Sequence, residues 1–252
     1  LLDKDVAQRK AIRLTAQMGA IVAAWDRIRA GEEPISPKIE YNFAQNFVYM
    51  LKGEEPDQTA ADAINAYLVL LAEHGMNAST FATRVTTATG SDMHSAVVSG
   101  IGTLKGPAHG GANAEAMKVF LEIGSPDNVE NWFKSEVKEK GRRVMGIGHR
   151  VYKAPDPRAA VLKERAGALA QTSGNSTWYD IAVGLADLAA ADDYFIERKL
   201  YPNVDYYSAI VLYTIGLDVG DFTPLFAMSR VAGWTAHIID QMGGRLIRPK
   251  AT

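Results

Sequence analysis

Apolar residues recur at helical spacing over 6–29, at Ile12, Ala16, Gly19, Val22 and Ala23, until Gly31 and Pro34 stop the pattern. One long helix is predicted there. A second apolar run covers 42–51. Asp57 then stands where an N-cap would open a helix carrying Ile64, Leu68, Leu71 and Ala72 as far as His74-Gly75. The same period continues over 79–88, 92–104, 112–123, 129–140, 157–170, 178–200, 206–215 and 224–242, each segment bounded by Gly, Pro or Asn. Pro224 suits a helix N-terminus and Gly243-Gly244 its end. No segment alternates polar and apolar positions beside hairpin turn residues. The expected fold class is therefore all-α. Gly19, Gly100, Gly102, Gly184 and Gly233 fall inside helical runs, where glycine costs about 1 kcal/mol against alanine, so close helix packing is expected around them.

Composition narrows the function classes. The 252 residues are 47% hydrophobic and 22% charged, enough for a sizeable core. A net charge of -2 leaves no whole-chain footprint for nucleic acid or an anionic membrane surface, so an anionic ligand must be held by local cations. The absence of cysteine excludes disulfides, thiolate nucleophiles and sulfur-ligated metals, and suits a reducing compartment. No apolar run is long enough to suggest a membrane span, and the start is not a signal peptide, so the chain reads as cytoplasmic. It begins just ahead of an amphipathic helix without Met and ends at Arg-Pro-Lys-Ala-Thr, which reads as a piece of a longer protein.

Three of the five histidines, His74, His109 and His149, lie in glycine-marked junctions, where an unencumbered backbone allows close approach to a ligand. Each alone reads first as a turn histidine bonded to a local carbonyl, and it is the three junctions together that weaken that reading. No His-Glu-x-x-His, His-x-His pair or cysteine pre-forms a metal site, so no bound metal is expected, and no Gly-x-Ser-x-Gly elbow points to a serine hydrolase. Asp205 is a lone carboxylate among aromatics at a helix start, in Tyr201-Pro-Asn-Val-Asp205-Tyr-Tyr207. Asp205 or Asn203 could simply cap that helix. Arg158, Arg230 and Arg248 are candidate carboxylate grips, because a guanidinium binds a carboxylate in bidentate fashion. Gly146-Ile-Gly148 is a lone Gly-x-Gly with no preceding strand, and the run 134–143 is mixed in sign and reads as a solvated helix end.

In order along the chain these elements resemble the citrate synthase family. Gly146-Ile-Gly-His149-Arg-Val-Tyr-Lys153-Ala-Pro-Asp-Pro-Arg158 is similar to that family's signature. Gly106-Pro-Ala-His109-Gly-Gly-Ala-Asn113, Tyr201-Pro-Asn-Val-Asp205 and Ser229-Arg230 through Arg248-Pro-Lys250 match in sequence, as does His74-Gly-Met-Asn77. The resemblance implies a multi-helical fold of two domains lacking its N-terminal part here: a large domain over 1–110 and 217–252, and a small domain over 111–216 that closes on the substrates.

It further implies a transferase of the tricarboxylic acid cycle. Asp205 would remove a proton alpha to the thioester of an acyl-CoA. His109 would stabilise the enol, and His149 would donate to the carbonyl of oxaloacetate. His74, Arg158, Arg230 and Arg248 would bind the dicarboxylate, with Phe226 near the acyl group or merely in the core. Gly146 and Gly148 would meet adenine, and Lys153, Arg198 and Lys199 the phosphates of CoA. The acyl-CoA is a substrate, and no permanent cofactor is implied. A homodimer is implied, with Arg248 reaching into the partner's site. Acetyl-CoA, giving citrate, and propionyl-CoA, giving 2-methylcitrate, both fit, since one methylene is discriminated by only about 1–3 kcal/mol. The rival from another class is a catalytically inactive helical interaction module.

Overall fold

Side-chain caps set where the helices begin. In the computed structural model, which describes residues 3–148 and 154–249, the Asp3 carboxylate accepts the Asp5 N–H and opens α1 (Lys4–Arg29). Asn42 and Gln45 form a reciprocal capping box at the start of α2 (Phe43–Lys52). There follow α3 (Gln58–Leu71), α4 (Ala78–Ala88) capped by Asn77, α5 (Met93–Leu104) capped by Asp92, and α6 (Ala112–Ile123). The short α7 (Val129–Trp132) runs into a π-helical segment, Phe133–Glu139. Then come α8 (Pro157–Ser173), α9 (Thr177–Ala191), α10 (Asp193–Glu197), α11 (Val204–Ile215) and α12 (Phe222–Gln241). No β-strand occurs among the described residues, so the all-α expectation holds.

Two expectations fail locally. The run 178–200 is not one helix: it breaks at Asp192, whose carboxylate caps α10 by accepting the Tyr194 N–H and also pairs with Lys138. A short carboxylate bonded to nearby backbone competes with helix continuation. The run 129–140 is α-helical only at its start and widens to π geometry after Trp132. Within 134–143 the cations Lys140 and Arg142 are exposed, in keeping with a solvated helix end, and pair there with Glu136 at 2.6 Å and with Glu122 at 2.7 Å.

The chain divides into two compact units. One comprises Leu1–Pro56, Leu68–Gly111 and Thr223–Thr252; the other Asp57–Tyr67 and Ala112–Phe222. In the first, α12 buries Leu225, Met228, Val231, Trp234 and Ile238. Gly100 on α5 leaves room for neighbours that a β-carbon would strike, Thr83 Cγ2 at 2.7 Å and the Trp234 ring at 3.1 Å. Gly233 does the same for the end of α3, whose Ala72 carbonyl accepts the Gly233 N–H at 3.1 Å. Gly102 faces open space and has no such return.

In the second unit α11 is apolar nearly all round and therefore central. It packs on α6, α8 and α9. Tyr206 meets Phe120 edge-on at 5.1 Å and donates its hydroxyl to the Ala182 carbonyl at 2.8 Å.

Candidate functional site

In the first unit the chain leaves α5 through a tight turn. The His109 N–H donates to the Gly106 carbonyl at 2.9 Å, and the Gly110 N–H to the Leu104 carbonyl at 3.0 Å. A β-carbon at 110 would lie 2.4 Å from Leu104 O, so only glycine closes this turn. The turn sets the half-buried His109 imidazole against the start of α4. There the Ser79 N–H donates to His109 Nε2 at 3.3 Å, and Ser79 Oγ lies 2.8 Å from the same nitrogen. A nitrogen that accepts a backbone N–H carries no proton, so the proton of the neutral ring resides on Nδ1. Burial holds the imidazole below its ordinary basicity, and the Arg230 charge lowers it further. The result is a neutral imidazole with an N–H to give.

Ser79 is itself pinned. Its hydroxyl lies 2.9 Å from Asn77 Oδ1 and accepts the Trp234 Nε1–H at 3.1 Å. Arg230, 2% exposed on α12, donates through Nε to the Leu71 carbonyl at 2.7 Å, and its guanidinium lies 4.9 Å from the centre of the Phe226 ring. Phe226 is thus in the core and also beside Arg230. His74 follows α3 by a few residues, in the turn that Gly233 and Arg230 fasten to α12. Arg248 lies beyond α12 in non-helical chain and is exposed.

In the second unit Asn203, not Asp205, is the cap of α11: its Oδ1 accepts the Asp205 N–H at 2.9 Å, and Asp205 occupies the first turn. Asp156 caps α8 and grips Arg158 twice, Nε to Oδ1 at 3.0 Å and Nη2 to Oδ2 at 2.9 Å. The same carboxylate accepts the Val204 N–H at 3.2 Å, tying Arg158 to the start of α11. Burial alone would raise the Asp156 pKa, but the Arg158 hydrogen bonds and charge outweigh it and hold this carboxyl below its ordinary range.

Gly146 and Gly148 both have positive φ, 81° and 97°, and run beside 201–203. Arg198 stacks over the Tyr194 ring at 4.2 Å, and Lys199 takes a left-handed φ of 53° just after α10. His149 and Lys153 lie outside the described residues. Within the first unit the structure therefore gathers His109, Arg230 and Phe226. Within the second it gathers Asp205, Arg158 and the Gly146–Gly148 segment. Arg198 instead bonds within its own helix turn, donating to the Tyr194 carbonyl at 3.4 Å and pairing with Glu197 at 3.7 Å. Among the described residues no three His, Asp or Glu side chains are placed to hold a metal ion, and no helix is long and apolar enough to cross a membrane.

Ser79, Trp234, Asp156 and Asn203 hold these groups in place. Sequence reasoning singled out only Asn203, and only as a cap. Asp156 was findable as the residue before a helix-initiating proline. Ser79 and Trp234 carry no local signal.

The described residues thus make an all-helical protein with, in one unit, the buried Arg230 close to the His109 imidazole and, in the other, the Asp205 carboxylate in the first turn of α11. The family is definite: residues 2–250 match the model of the citrate synthase C-terminal domain, and the chain belongs to the citrate synthase family. It is 47% identical over 251 residues to citrate synthase 2 of Bacillus subtilis, covering 99% of this chain and 66% of that protein. It is 41% identical over 249 residues to the 2-methylcitrate synthase of Mycobacterium tuberculosis, covering 98% of this chain and 62% of that one. Among solved structures it matches a ternary complex of carboxymethyl coenzyme A and oxaloacetate with citrate synthase from Thermoplasma acidophilum. That match has a TM-score of 0.91 and 37% identity, over 99% of this chain and 66% of the other. The chain thus spans a little under two thirds of the length of these relatives.

Proposed function

We propose that the protein carrying this chain is a citrate synthase that condenses acetyl-CoA with oxaloacetate and water to give citrate and CoA. The observation that carries the reading is the neutral His109 imidazole. With Nε2 occupied by the Ser79 N–H, Nδ1–H can donate to a thioester oxygen. Protons alpha to a thioester are too weakly acidic for an unaided carboxylate, and such a donor makes the enolate accessible.

Asp205 takes the proton from the acyl carbon while His109 donates to the carbonyl oxygen. The enol carbon attacks the ketone carbon of oxaloacetate, whose oxygen takes a proton from His149. Water then cleaves the citryl-CoA thioester and releases CoA. Arg158, Arg230 and Arg248, with His74, bind the two carboxylates. Gly146, Gly148, Lys153, Arg198 and Lys199 serve CoA, and Phe226 lines the acyl end. No cofactor beyond the two substrates is needed.

A homodimer fits this reading. Ile21, Trp25 and Ile28 are more than half exposed at positions i, i+4 and i+7 of α1, and Phe81, Val98 and Ile101 are exposed on α4 and α5. The exposed Arg248 is then available to a partner's site. Cytoplasmic residence suits a chain without cysteine.

The likeness to a 2-methylcitrate synthase supports a second reading, with propionyl-CoA as the acyl donor. Steady-state turnover with each acyl-CoA at saturating oxaloacetate separates the two by the ratio of kcat/KM. In either case Asp205→Ala and His109→Ala each reduce kcat by about a hundredfold or more with folding intact. Absence of CoA release with every oxo-acid tried would instead make this a helical interaction module.

A further inference from the structure

One short segment carries bonds that capping does not require. The backbone N–H of Asn203 donates to the Gly146 carbonyl at 2.9 Å, and its side-chain Nδ2 donates to the Gly148 carbonyl at 2.8 Å. Between them the Gly148 N–H donates to the Tyr201 carbonyl at 2.8 Å, and Ile147 pairs antiparallel with Pro202. Asn203 is 8% exposed, so these bonds face little competition from water. Its Oδ1 is meanwhile committed to the Asp205 N–H. A single amide therefore holds two things at once: the first turn of α11 with Asp205, and the peptide unit at Gly148 that hands the chain on to His149.

The residue type matters. Asn, Asp and Ser cap helices about equally well, because all that a cap needs is an acceptor. Of these three, only asparagine carries a donor on a different atom from the capping acceptor, and here that Nδ2 faces a carbonyl oxygen, whereas serine has a single, shorter hydroxyl that the cap occupies. An aspartate at 203 would keep the cap and set a carboxylate oxygen against Gly148 O. A serine would keep the cap and leave the carbonyl unpaired.

We propose that Asn203 is a positioning residue that sets the register between the Asp205 carboxylate and the Gly146–Gly148 segment, so that the base is aligned with the backbone of that segment. This rests on the condensation reading above. Asp156 fastens Arg158 to the same helix start through the Val204 N–H, so the carboxylate-gripping arginine shares the reference point.

The test compares Asn203→Asp, Asn203→Ser and Asn203→Ala in the whole protein, by kcat at saturating substrates, by melting temperature and by amide hydrogen exchange. The expected result for Asp and Ser is a kcat loss of about tenfold or more, larger for Asp, with Tm within about 3 °C of the parent. Exchange over 144–148 rises in both, while α11 stays protected. Asn203→Ala loses the cap as well and falls in both kcat and Tm.

A role in capping alone predicts parental kcat and exchange for Asp and Ser, and that outcome overturns the proposal. An unsubstituted protein without condensing activity would sink the condensation reading instead. The exchange measurement then still judges the register: unchanged protection at 144–148 in Asn203→Asp refutes it.

Discussion

His109 is held neutral by its surroundings, and that has a thermodynamic signature. Its native basicity lies below the ordinary value of about 6.5, because burial and Arg230 disfavour the imidazolium. As pH falls through about 6.5 the unfolded chain binds the proton first, so stability is lost on the acid side and regained as pH rises. His109→Gln keeps a polar side chain without the titration. Urea unfolding at pH 7.5 and 5.5 should therefore show a smaller acid-side loss in His109→Gln than in the parent. An equal loss in both would mean that His109 titrates normally.

The residue scale is also where the sequence said least. His109, Asp205 and Arg230 were visible as residue types in turns and helices, and only their order along the chain lifted them above turn and cap residues. The partner that fixes the His109 tautomer, Ser79, lies on a different helix, and Trp234 lies on another again. Nothing in the spacing of either announces a bond that tertiary packing creates.

At the scale of elements, apolar periodicity with Gly, Pro and Asn stops anticipated most helices, because burial of one face is what both the pattern and the fold express. It failed where a side chain competes for backbone, at Asp192, and at the π-helical segment after Trp132, which has the same apolar spacing as an α-helix. The meeting of the Gly146–Gly148 segment with α11 was equally illegible. There a β-carbon on residue 146 would come within 2.8 Å of Tyr206 Cα, at a φ of 81°.

Gly141 offers a control, since its φ is also positive, at 69°, but nothing lies within 4 Å. Gly146→Ala should cost about 2–4 kcal/mol in chemical unfolding, from left-handed strain plus overlap with backbone that cannot move aside. Gly141→Ala should cost about 1 kcal/mol, from the strain alone. Equal costs would mean that the close approach relaxes.

At the scale of the whole molecule, the exposed apolar stripe on α1 makes a solution prediction. Sedimentation equilibrium should give the parent twice its chain mass, and Ile21→Glu combined with Trp25→Glu should bring it to a single chain, with secondary structure retained. A parent already at one chain mass contradicts the dimer. The same molecule-wide view governs synthesis. The turn carrying His74 and the Ser79–His109 pair are completed by Arg230, Gly233 and Trp234 of α12, from a far later segment of the same unit. At a translation rate of about 5–20 residues per second, those partners leave the ribosome on the order of ten seconds after His109. For that interval the apolar surface that Trp234 will cover stands open to other hydrophobic chains, so a growing polypeptide that still lacks α12 is expected to recruit chaperones.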